Sequence, residues 1–204
     1  EEEAESLGLN TVDATCPLVK KIHEKAVEFS EKGFFIFLIG HKSHAETEGT
    51  FGRITGPAAI IEDLYDLDNM DISKISGMKT AFLTQTTLCR DDTSAIIARL
   101  RKLFPDIEGS GDICYATTKR QEAVKELAAR CDTVFIIGSP KSSNSNRLRE
   151  AAEKAGAKAY LINSALDIKD KMLANTVNIG ISAGASAPEC LVTELVEFLE
   201  RREI

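Results

Sequence analysis

Residues 34–40 read Phe-Phe-Ile-Phe-Leu-Ile-Gly, and residues 133–138 read Thr-Val-Phe-Ile-Ile-Gly. In both stretches the apolar residues continue without the polar alternation of a half-exposed strand. Such runs are typical of strands in a parallel sheet, which helices cover on both faces. The two stretches therefore predict an α/β fold in which each stretch forms the first strand of its own sheet.

The two stretches belong to a longer near-repeat with an offset of 98 residues. Cys16 aligns with Cys114, and Gly40 aligns with Gly138. Each cysteine starts a helical pattern that leads into the apolar run. The same offset superimposes two further pairs of segments, namely 79–86 on 177–184 and 90–104 on 188–202.

The repeat predicts two similar small lobes, each a doubly wound parallel sheet. We expect residues 16–112 to form one lobe and residues 113–204 the other. Residues 1–15 are expected to be the remnant of a preceding lobe and its linker. The acidic opening Glu1–Glu5, followed by Leu7 and lacking a methionine, indicates the tail of a helix and hence an N-terminal truncation.

Composition limits the kinds of partner. The 204 residues include 25 basic and 32 acidic side chains, so the formal net charge is -7 and no nucleic-acid partner is expected. No apolar run approaches the roughly 18 residues of a membrane span, so we expect a soluble protein without a membrane contact. Five cysteines without close pairs favour a reducing cytoplasm over a disulfide framework.

Loops at the carboxyl ends of parallel strands are the usual place for a ligand. Residues 41–46 follow the first apolar run and contain His44 and Glu46, an acid/base pair. The corresponding positions in the second half are Ser142 and Asn144, within a run of hydroxyl and amide side chains. Equivalent loops therefore carry proton-transfer groups in one half and neutral hydrogen-bonding groups in the other.

The Ser/Asn run, residues 139–147, precedes a predicted helix, and one of its side chains is expected to serve as the N-cap. The run contains more hydroxyls and amides than one cap uses, which favours an anion site at the helix start. Ser186, shortly before Pro188 and Glu189, also indicates a helix start with Ser186 as the N-cap. The same N–H groups could hold a phosphate oxygen.

The cysteines fall into three groups. Cys16 and Cys114 each lie at a helix start, a position that favours the thiolate needed by a nucleophile or a metal ligand. Cys131 and Cys190 lie within amphipathic helical patterns and are interpreted as packed apolar side chains. Cys89 is compatible with both interpretations, a reactive thiol or a packed apolar side chain.

Six motifs occur in order across almost the whole chain: DATCPLVKKIH (13–23), IGHKSHAETEGT (39–50), TQTTLCRDDT (84–93), DICYATTKRQEAV (112–124), GSPKSSNSNRLREAA (138–152) and ISAGASAPECLV (181–192). Together they resemble the LytB-type iron-sulfur family of 4-hydroxy-3-methylbut-2-enyl diphosphate reductases. The resemblance implies a pseudo-threefold, three-lobed α/β fold of which this chain holds two thirds.

The resemblance also implies a 4Fe-4S cluster held by one cysteine from each lobe. Cys16 and Cys114 match two of these ligands, the third lies outside this chain, and one iron stays open to substrate. The family reaction removes the allylic hydroxyl with two electrons and two protons and gives isopentenyl and dimethylallyl diphosphates, the last step of the non-mevalonate isoprenoid route. A ferredoxin- or flavodoxin-type electron donor and a monomeric state are expected.

Further roles follow from the motif match. Glu46 matches the proton-donating glutamate of the family, and Thr87 matches the threonine near the substrate hydroxyl. The residues that match the substrate-binding set for the diphosphate are His44, Ser142, Ser143, Asn144 and Ser186.

The chain also departs from the family pattern. The lobe that carries the first cluster cysteine and two further histidines is absent, so the chain alone is expected to be inactive. Ala45 replaces a proline that is common in the family, and Cys89 replaces a serine. Neither change removes a ligating or acidic group.

Two other functions stay open on the residues alone. A non-catalytic phosphate-binding module of two lobes needs only the Ser/Asn run and the segment around Ser186, and its cysteines would be incidental. A zinc or Cys-His hydrolase would use Cys16, His41, His44 and Cys114, although these residues lack the close spacing of zinc ligands.

Overall fold

The computed structural model describes residues 2–109 and 111–202, in which helices and strands alternate. The strands are β1 (Phe35–Ile39), β2 (Ala58–Ile61), β3 (Thr80–Thr84), β4 (Glu108–Gly109), β5 (Thr133–Ile137), β6 (Lys158–Ile162) and β7 (Ile179–Ala183). The α-helices are α1 (Glu2–Ser6), α2 (Pro17–Glu31), α3 (Ala45–Phe51), α4 (Leu64–Asp68), α5 (Arg90–Leu103), α6 (Tyr115–Ala128), α7 (Ser143–Lys154), α8 (Asp170–Leu173) and α9 (Glu189–Glu200). Two 3-10 turns cover Ile72–Ile75 and Ala165–Asp167.

Some residues at the ends of the predicted segments lie outside the described residues. The helical tail expected over residues 1–5 is present as α1, although Glu1 itself lies outside the described residues. Ser110, Glu203 and Ile204, which the predicted lobes include, also lie outside them. Across the described ranges, no helix has both the length and the apolar character needed to cross a membrane.

The chain divides into two compact units. The first unit comprises Glu1–Thr86 and Ala98–Asp112, and the second comprises Thr87–Ile97 and Ile113–Ile204. Within each unit the strands form one parallel sheet.

The segment 87–97 belongs to the second unit, whereas the sequence placed it in the lobe predicted for residues 16–112. Lys125 Nζ lies 2.8 Å from Asp91 Oδ2. Gln121 Nε2 donates a hydrogen bond to a backbone carbonyl of the segment at 3.3 Å. These contacts tie the segment to α6, so the compact units and the predicted lobes differ over these residues.

The sheet of the first unit has the strand order β2-β1-β3-β4, with parallel pairing throughout. Ile36 and Leu38 of β1 pack in one cluster with Ile22 of α2. Phe37 is fully buried, and its ring centroid lies 5.2 Å from that of Phe104. Full burial of such a side chain contributes about 1.5–3 kcal/mol, which explains why β1 is apolar at every position.

The sheet of the second unit has the order β6-β5-β7, again parallel. Val134 and Ile136 of β5 pack in a cluster with residues of α6 and α7. Phe135 and Ile137 belong to a second cluster that includes Leu195 of α9. Helices therefore cover both faces of β5, and the predicted α/β fold with two similar parallel-sheet units is confirmed.

The repeat is visible in the structure, with one correction. The offset of 98 holds from α2 and α6 through α3 and α7. After the third strand of each sheet, Gln85 N–H donates to Ile39 O and Gly184 N–H donates to Ile137 O, both at 2.8 Å. Gln85 thus corresponds to Gly184, and its sequence alignment with Ala183 is wrong by one residue because the segments between the first and third strands differ in length.

The two helices that follow the aligned cysteines start alike. Cys16 precedes α2 with φ -53° and ψ 132°, and Cys114 precedes α6 with φ -58° and ψ 123°. Pro17 fits the first helical position because that position needs no backbone N–H donor. α2 ends at Glu31, and Gly33 follows its C-cap with a φ of 73°, in the left-handed region that glycine adopts without strain.

Candidate functional site

The loop after β1 places His44 and Glu46 at the start of α3. His44 is the N-cap of this helix, and its Nδ1 accepts the backbone N–H of Glu46 at 3.2 Å. The imidazole therefore supplies the cap that Ser or Asn more often provides. The predicted acid/base pair lies within a single helical turn.

The carboxyl group of Glu46 is held at the end of β3. Its Oε1 accepts the backbone N–H of Thr86 at 2.6 Å. Thr86 is 5% exposed, so this charge-assisted hydrogen bond is largely shielded from water. The carboxyl group of Glu46 is thus fixed by a backbone donor at the end of β3.

His41 and Lys42 interact with residues beyond β2 instead. His41 Nδ1 lies 3.6 Å from Glu62 Oε1, and Lys42 Nζ lies 3.0 Å from Asp66 Oδ2. The hydrogen bond to Asp66 raises the pKa of Lys42, while the backbone N–H of Glu62 and then Lys42 lower the pKa of Asp66. The carboxylate of Asp66 on α4 thus compensates the positive charge of Lys42.

The Ser/Asn run forms the start of α7. Ser142 is the N-cap, as expected for one residue of the run, and its Oγ accepts the backbone N–H of Ser145 at 3.3 Å. The hydroxyl of Thr87 donates to Ser143 Oγ at 3.1 Å. Asn144 has both side-chain amide atoms buried, and neither has a hydrogen-bond partner among the described residues. The second unit therefore brings four of the predicted site residues together.

Ser145 is a site residue that the sequence analysis did not single out. Its side chain is buried between the ends of β5 and β7, where a Cβ added at Gly138 or Gly184 would overlap with its Oγ. These two glycines allow α7 to start directly against the sheet. Glycine at both strand ends was the one signal that pointed to this close approach.

Ser186 lies on the loop after β7 and is exposed. The N-cap of α9 is Pro188, so the expectation that Ser186 caps this helix is wrong. The restricted φ of proline, here -62°, suits the residue at the helix boundary, and Ser186 lies two positions before this N-cap. Its hydroxyl stays at the strand-end side of the second unit.

Cys16 and Cys114 are the N-cap residues of α2 and α6, and their sulfur atoms are donors of the soft kind that iron-sulfur groups use. Cys16 is exposed and Cys114 is half-buried, and within the described ranges the cysteines form no disulfide. These ranges contain no group of three or more metal-ligating side chains. The thiol of each cysteine has the donor chemistry of an iron-sulfur ligand.

Two of the remaining cysteines differ in their surroundings. Cys131 packs at the edge of the α6–α7 cluster, in agreement with an apolar role. Cys190 is exposed on α9, so its interpretation as a packed side chain is wrong. It occupies the second position of the helix, ahead of the turns that contact the sheet.

His23 is a half-buried residue of the first unit. It lies on α2 beside Gly49, and its buried Nε2 lacks a hydrogen-bond partner in the described part of the chain. Burial lowers the pKa of His23 below 6.5, and the charge of Arg53 lowers it further. His23, Arg53 and Lys20 line a cavity of about 430 Å³.

Two α/β units, each with a parallel sheet, polar side chains at the strand ends and a cysteine at the start of a helix, define a repeated α/β protein. The family model described as LytB protein matches residues 1–200. The chain belongs to this family.

Two curated relatives with the same name are similar to this chain over nearly all of its length. A 4-hydroxy-3-methylbut-2-enyl diphosphate reductase from Psychrobacter sp. (strain PRwf-1) is 47% identical over 98% of this chain and 64% of its own length. The reductase of the same name from Ectopseudomonas mendocina (strain ymp) is 49% identical over 97% of this chain and 64% of its own length. The chain thus spans about 64% of the length of these curated relatives.

Solved structures show the same fold. The E-1-hydroxy-2-methyl-but-2-enyl-4-diphosphate reductase from Plasmodium falciparum matches with a TM-score of 0.90 and 34% identity, over 99% of this chain and 64% of that one. A solved (E)-4-hydroxy-3-methyl-but-2-enyl diphosphate reductase matches with a TM-score of 0.61 and 29% identity, over 98% of this chain and 71% of that one.

Proposed function

We propose that this chain is part of an iron-sulfur reductase that converts 4-hydroxy-3-methylbut-2-enyl diphosphate to isopentenyl and dimethylallyl diphosphates in the non-mevalonate pathway. Relatives at 45–49% identity carry the name of this reductase. They are longer than the chain, which spans about 64% of their length. We therefore propose that a protein of that length which contains this chain, hereafter the full-length protein, is an active reductase. We propose that the chain alone is inactive.

The observation that carries this proposal is the buried amide of Asn144. Its Nδ2 and Oδ1 have no hydrogen-bond partner among the described residues. An unsatisfied buried polar group costs about 1–3 kcal/mol, so such a group is expected to gain a partner when a ligand binds. Diphosphate oxygens would accept from Asn144 and from the hydroxyls of Ser142, Ser143 and Ser186, and His44 would donate from the first unit.

Two residues would act on the substrate hydroxyl. Departure of this hydroxyl as water requires a proton, which Glu46 would supply from its carboxyl group. The backbone N–H of Thr86 would then hold the carboxylate through the bond of 2.6 Å that it already makes. Thr87 would orient the hydroxyl by hydrogen bonding.

Cys16 and Cys114 would each bind one iron of a 4Fe-4S cluster. When bound, the cluster would pass on, one at a time, the two electrons that the reaction needs and would offer an open iron to the substrate. The third ligand would come from the part of the full-length protein that this chain does not include.

The setting of the enzyme is also proposed. A ferredoxin- or flavodoxin-type protein would deliver the electrons, because the thiolates of this chain cannot themselves supply two electrons in every turnover. We propose a monomer that acts in the cytoplasm.

The test is the iron and acid-labile sulfide content of the full-length protein, purified without oxygen. About four irons per chain are expected, with a large loss in the Cys114→Ser variant. The matched control is Cys190→Ser, which changes an exposed cysteine of α9 and should keep the iron. Iron content that is unchanged by Cys114→Ser would overturn the ligand assignment.

A phosphate-binding module is the second candidate, because the Asn144 amide also suits a ligand that undergoes no reaction. An iron-free full-length protein that binds inorganic pyrophosphate would support the module over the reductase. A protein that holds iron and reduces the allylic diphosphate would exclude the module.

A further inference from the structure

Gln85 occupies a central position at the strand ends of the first unit. It follows β3 and is 1% exposed. Its Oε1 accepts the backbone N–H of His41 at 3.0 Å and the hydroxyl of Thr47 at 3.2 Å. Gly40 leaves room for this arrangement, since a Cβ there would come within 3.2 Å of Gln85 Cβ. One side-chain amide thus connects the end of β3 to the loop after β1 and to α3.

The contacts of Gln85 lie next to the bond between Glu46 and Thr86. Thr47 follows Glu46 on α3, and Thr86 follows Gln85 after β3. Two consecutive residues of the strand-end segment therefore hold two consecutive residues of the helix. Fixing Thr47 on Gln85 keeps the start of α3 at the distance at which Glu46 reaches the Thr86 N–H.

The second unit makes the same strand end without such a side chain. Gly184 stands at the position of Gln85, and its N–H forms the equivalent bond to Ile137 O. Ser145 stands at the position of Thr47, and its Oγ has no hydrogen-bond partner within the ranges that the structure describes. Because the fold forms with glycine at this position, the Gln85 side chain is not needed for the fold.

We infer that Gln85 is a positioning residue for Glu46. It holds the start of α3 against the end of β3, so that the Glu46 carboxylate is received by the Thr86 N–H. The inference rests on the proposed function, in which Glu46 donates the proton. Without the amide, Thr47 loses its partner and the hydrogen bond between Glu46 and Thr86 lengthens or breaks.

The test measures hydrogen exchange of the Thr86 amide by NMR in the 204-residue chain and its variants. Gln85→Met keeps the length of the side chain and removes the acceptor. We expect exchange of the Thr86 amide to rise about tenfold, the scale of one lost charge-assisted bond. Thr133→Val is the control: it removes a buried hydroxyl of β5 that bonds to the hydroxyl of Thr176 at 2.8 Å in the second unit, and it should leave Thr86 exchange unchanged. Unchanged exchange in Gln85→Met would overturn the inference.

A double-mutant cycle separates positioning from a general loosening of the loop. Glu46→Met, which removes the acceptor, should raise Thr86 exchange strongly in the original chain and little in the Gln85→Met background, because the bond is already lost there. Equal effects in both backgrounds would show that Gln85 does not control this bond.

A second pair of variants keeps Gln85 itself and tests the same connection. Thr47→Val removes the hydroxyl that binds Gln85, and Thr47→Ser retains it. Thr86 exchange should rise in the valine variant and stay near the original value in the serine variant. The inference fails if the two variants behave alike.

Activity provides an independent measurement in the full-length protein. Gln85→Met should lower kcat about tenfold and leave KM nearly unchanged, because it affects the proton donor and not the diphosphate contacts. If the full-length protein shows no reductase activity at all, the proposed function fails while the exchange data still decide the role of Gln85. A raised KM with an unchanged kcat would contradict positioning.

Discussion

The hydroxyl of Thr87 donates to the hydroxyl of Ser143 at 3.1 Å, although 56 residues separate them in the sequence. The bond joins the segment before α5 to the start of α7. Thr87→Val should lower the free energy of unfolding of the chain by about 0.5–1.5 kcal/mol, the usual net value of such a bond. Urea unfolding measures this loss. Thr87→Ser keeps the hydroxyl and should lose clearly less, whereas equal losses would assign the effect to packing.

Asn144→Ala should affect binding and stability in opposite directions. Affinity for inorganic pyrophosphate should fall by about tenfold or more, since a charge-assisted hydrogen bond contributes roughly 1.5–3 kcal/mol. Stability should stay equal or rise, because the variant removes a buried amide without a partner among the described residues. Titration calorimetry and thermal unfolding measure the two effects.

The control for that variant is Asn146→Ala. Asn146 Nδ2 donates to Pro140 O at 2.7 Å and to Ser142 O at 2.9 Å, so this residue has a structural role. Its removal should destabilise the protein. A parallel loss of stability in Asn144→Ala would contradict the ligand-binding role of Asn144.

His23 makes stability depend on pH in the weakly acidic range. Burial holds its folded-state pKa below 6.5, so the unfolded chain takes up a proton at higher pH than the folded chain. This contribution to stability is present above pH 6.5 and is lost as the pH falls through the lowered folded pKa. Arg53 opposes the charged imidazole, while Glu46 and Asp13 favour it.

As the pH falls from about 6.5 to about 5, the free energy of unfolding should therefore decrease less in the His23→Leu variant than in the original chain. Unfolding by urea at a series of pH values measures the slope. Asn10→Ala, which changes an exposed residue that does not titrate, serves as the control and should keep the original slope. An unchanged slope in His23→Leu would show that His23 does not cause it.

Asp132 makes the stability of the fold depend on pH in a lower pH range than His23 does. Its Oδ2 accepts the backbone N–H groups of Val177 and Asn178 at 2.9 and 2.8 Å, and these bonds lower its pKa below 3.8. The stabilisation is present above pH 3.8 and is lost as the pH falls through the folded pKa. Asp132→Asn should thus lower Tm at pH 7, with a difference that shrinks toward pH 2. Asp106→Asn, at another exposed position, should change Tm little at either pH.

The fold was predictable from the sequence because burial on two faces leaves a local signal. The uninterrupted apolar residues of β1 and β5 identify strands covered by helices, and the cysteine before each first helix marks the start of each repeat. The N-cap role of Ser142 was also local. Each of these features depends on residues that are close together in the chain.

The candidate site was only partly predictable, for a physical reason. The Thr87–Ser143 and Gln85–Thr47 contacts depend on the register of strands and helices that are far apart in sequence. The alignment with a constant offset paired Gln85 with the wrong residue, which concealed its relation to Gly184. The exposure of Ser186 and Cys190 depends on the residue at which α9 begins. Because Pro188 is the N-cap, α9 begins at Glu189 and not directly after Ser186.

Gly138, Gly184 and Ser145 meet at one point of the second unit, and this meeting restricts the order in which the family can change its sequence. A Cβ at Gly184 overlaps mainly with Ser145 Oγ, so an alanine there becomes acceptable only after Ser145 has lost its hydroxyl. At Gly138 the added Cβ also comes within 2.8 Å of Ser145 Cβ, so an alanine there requires Ser145 to become glycine first. Evolution of these three positions is therefore conditional, with the serine as the permissive site.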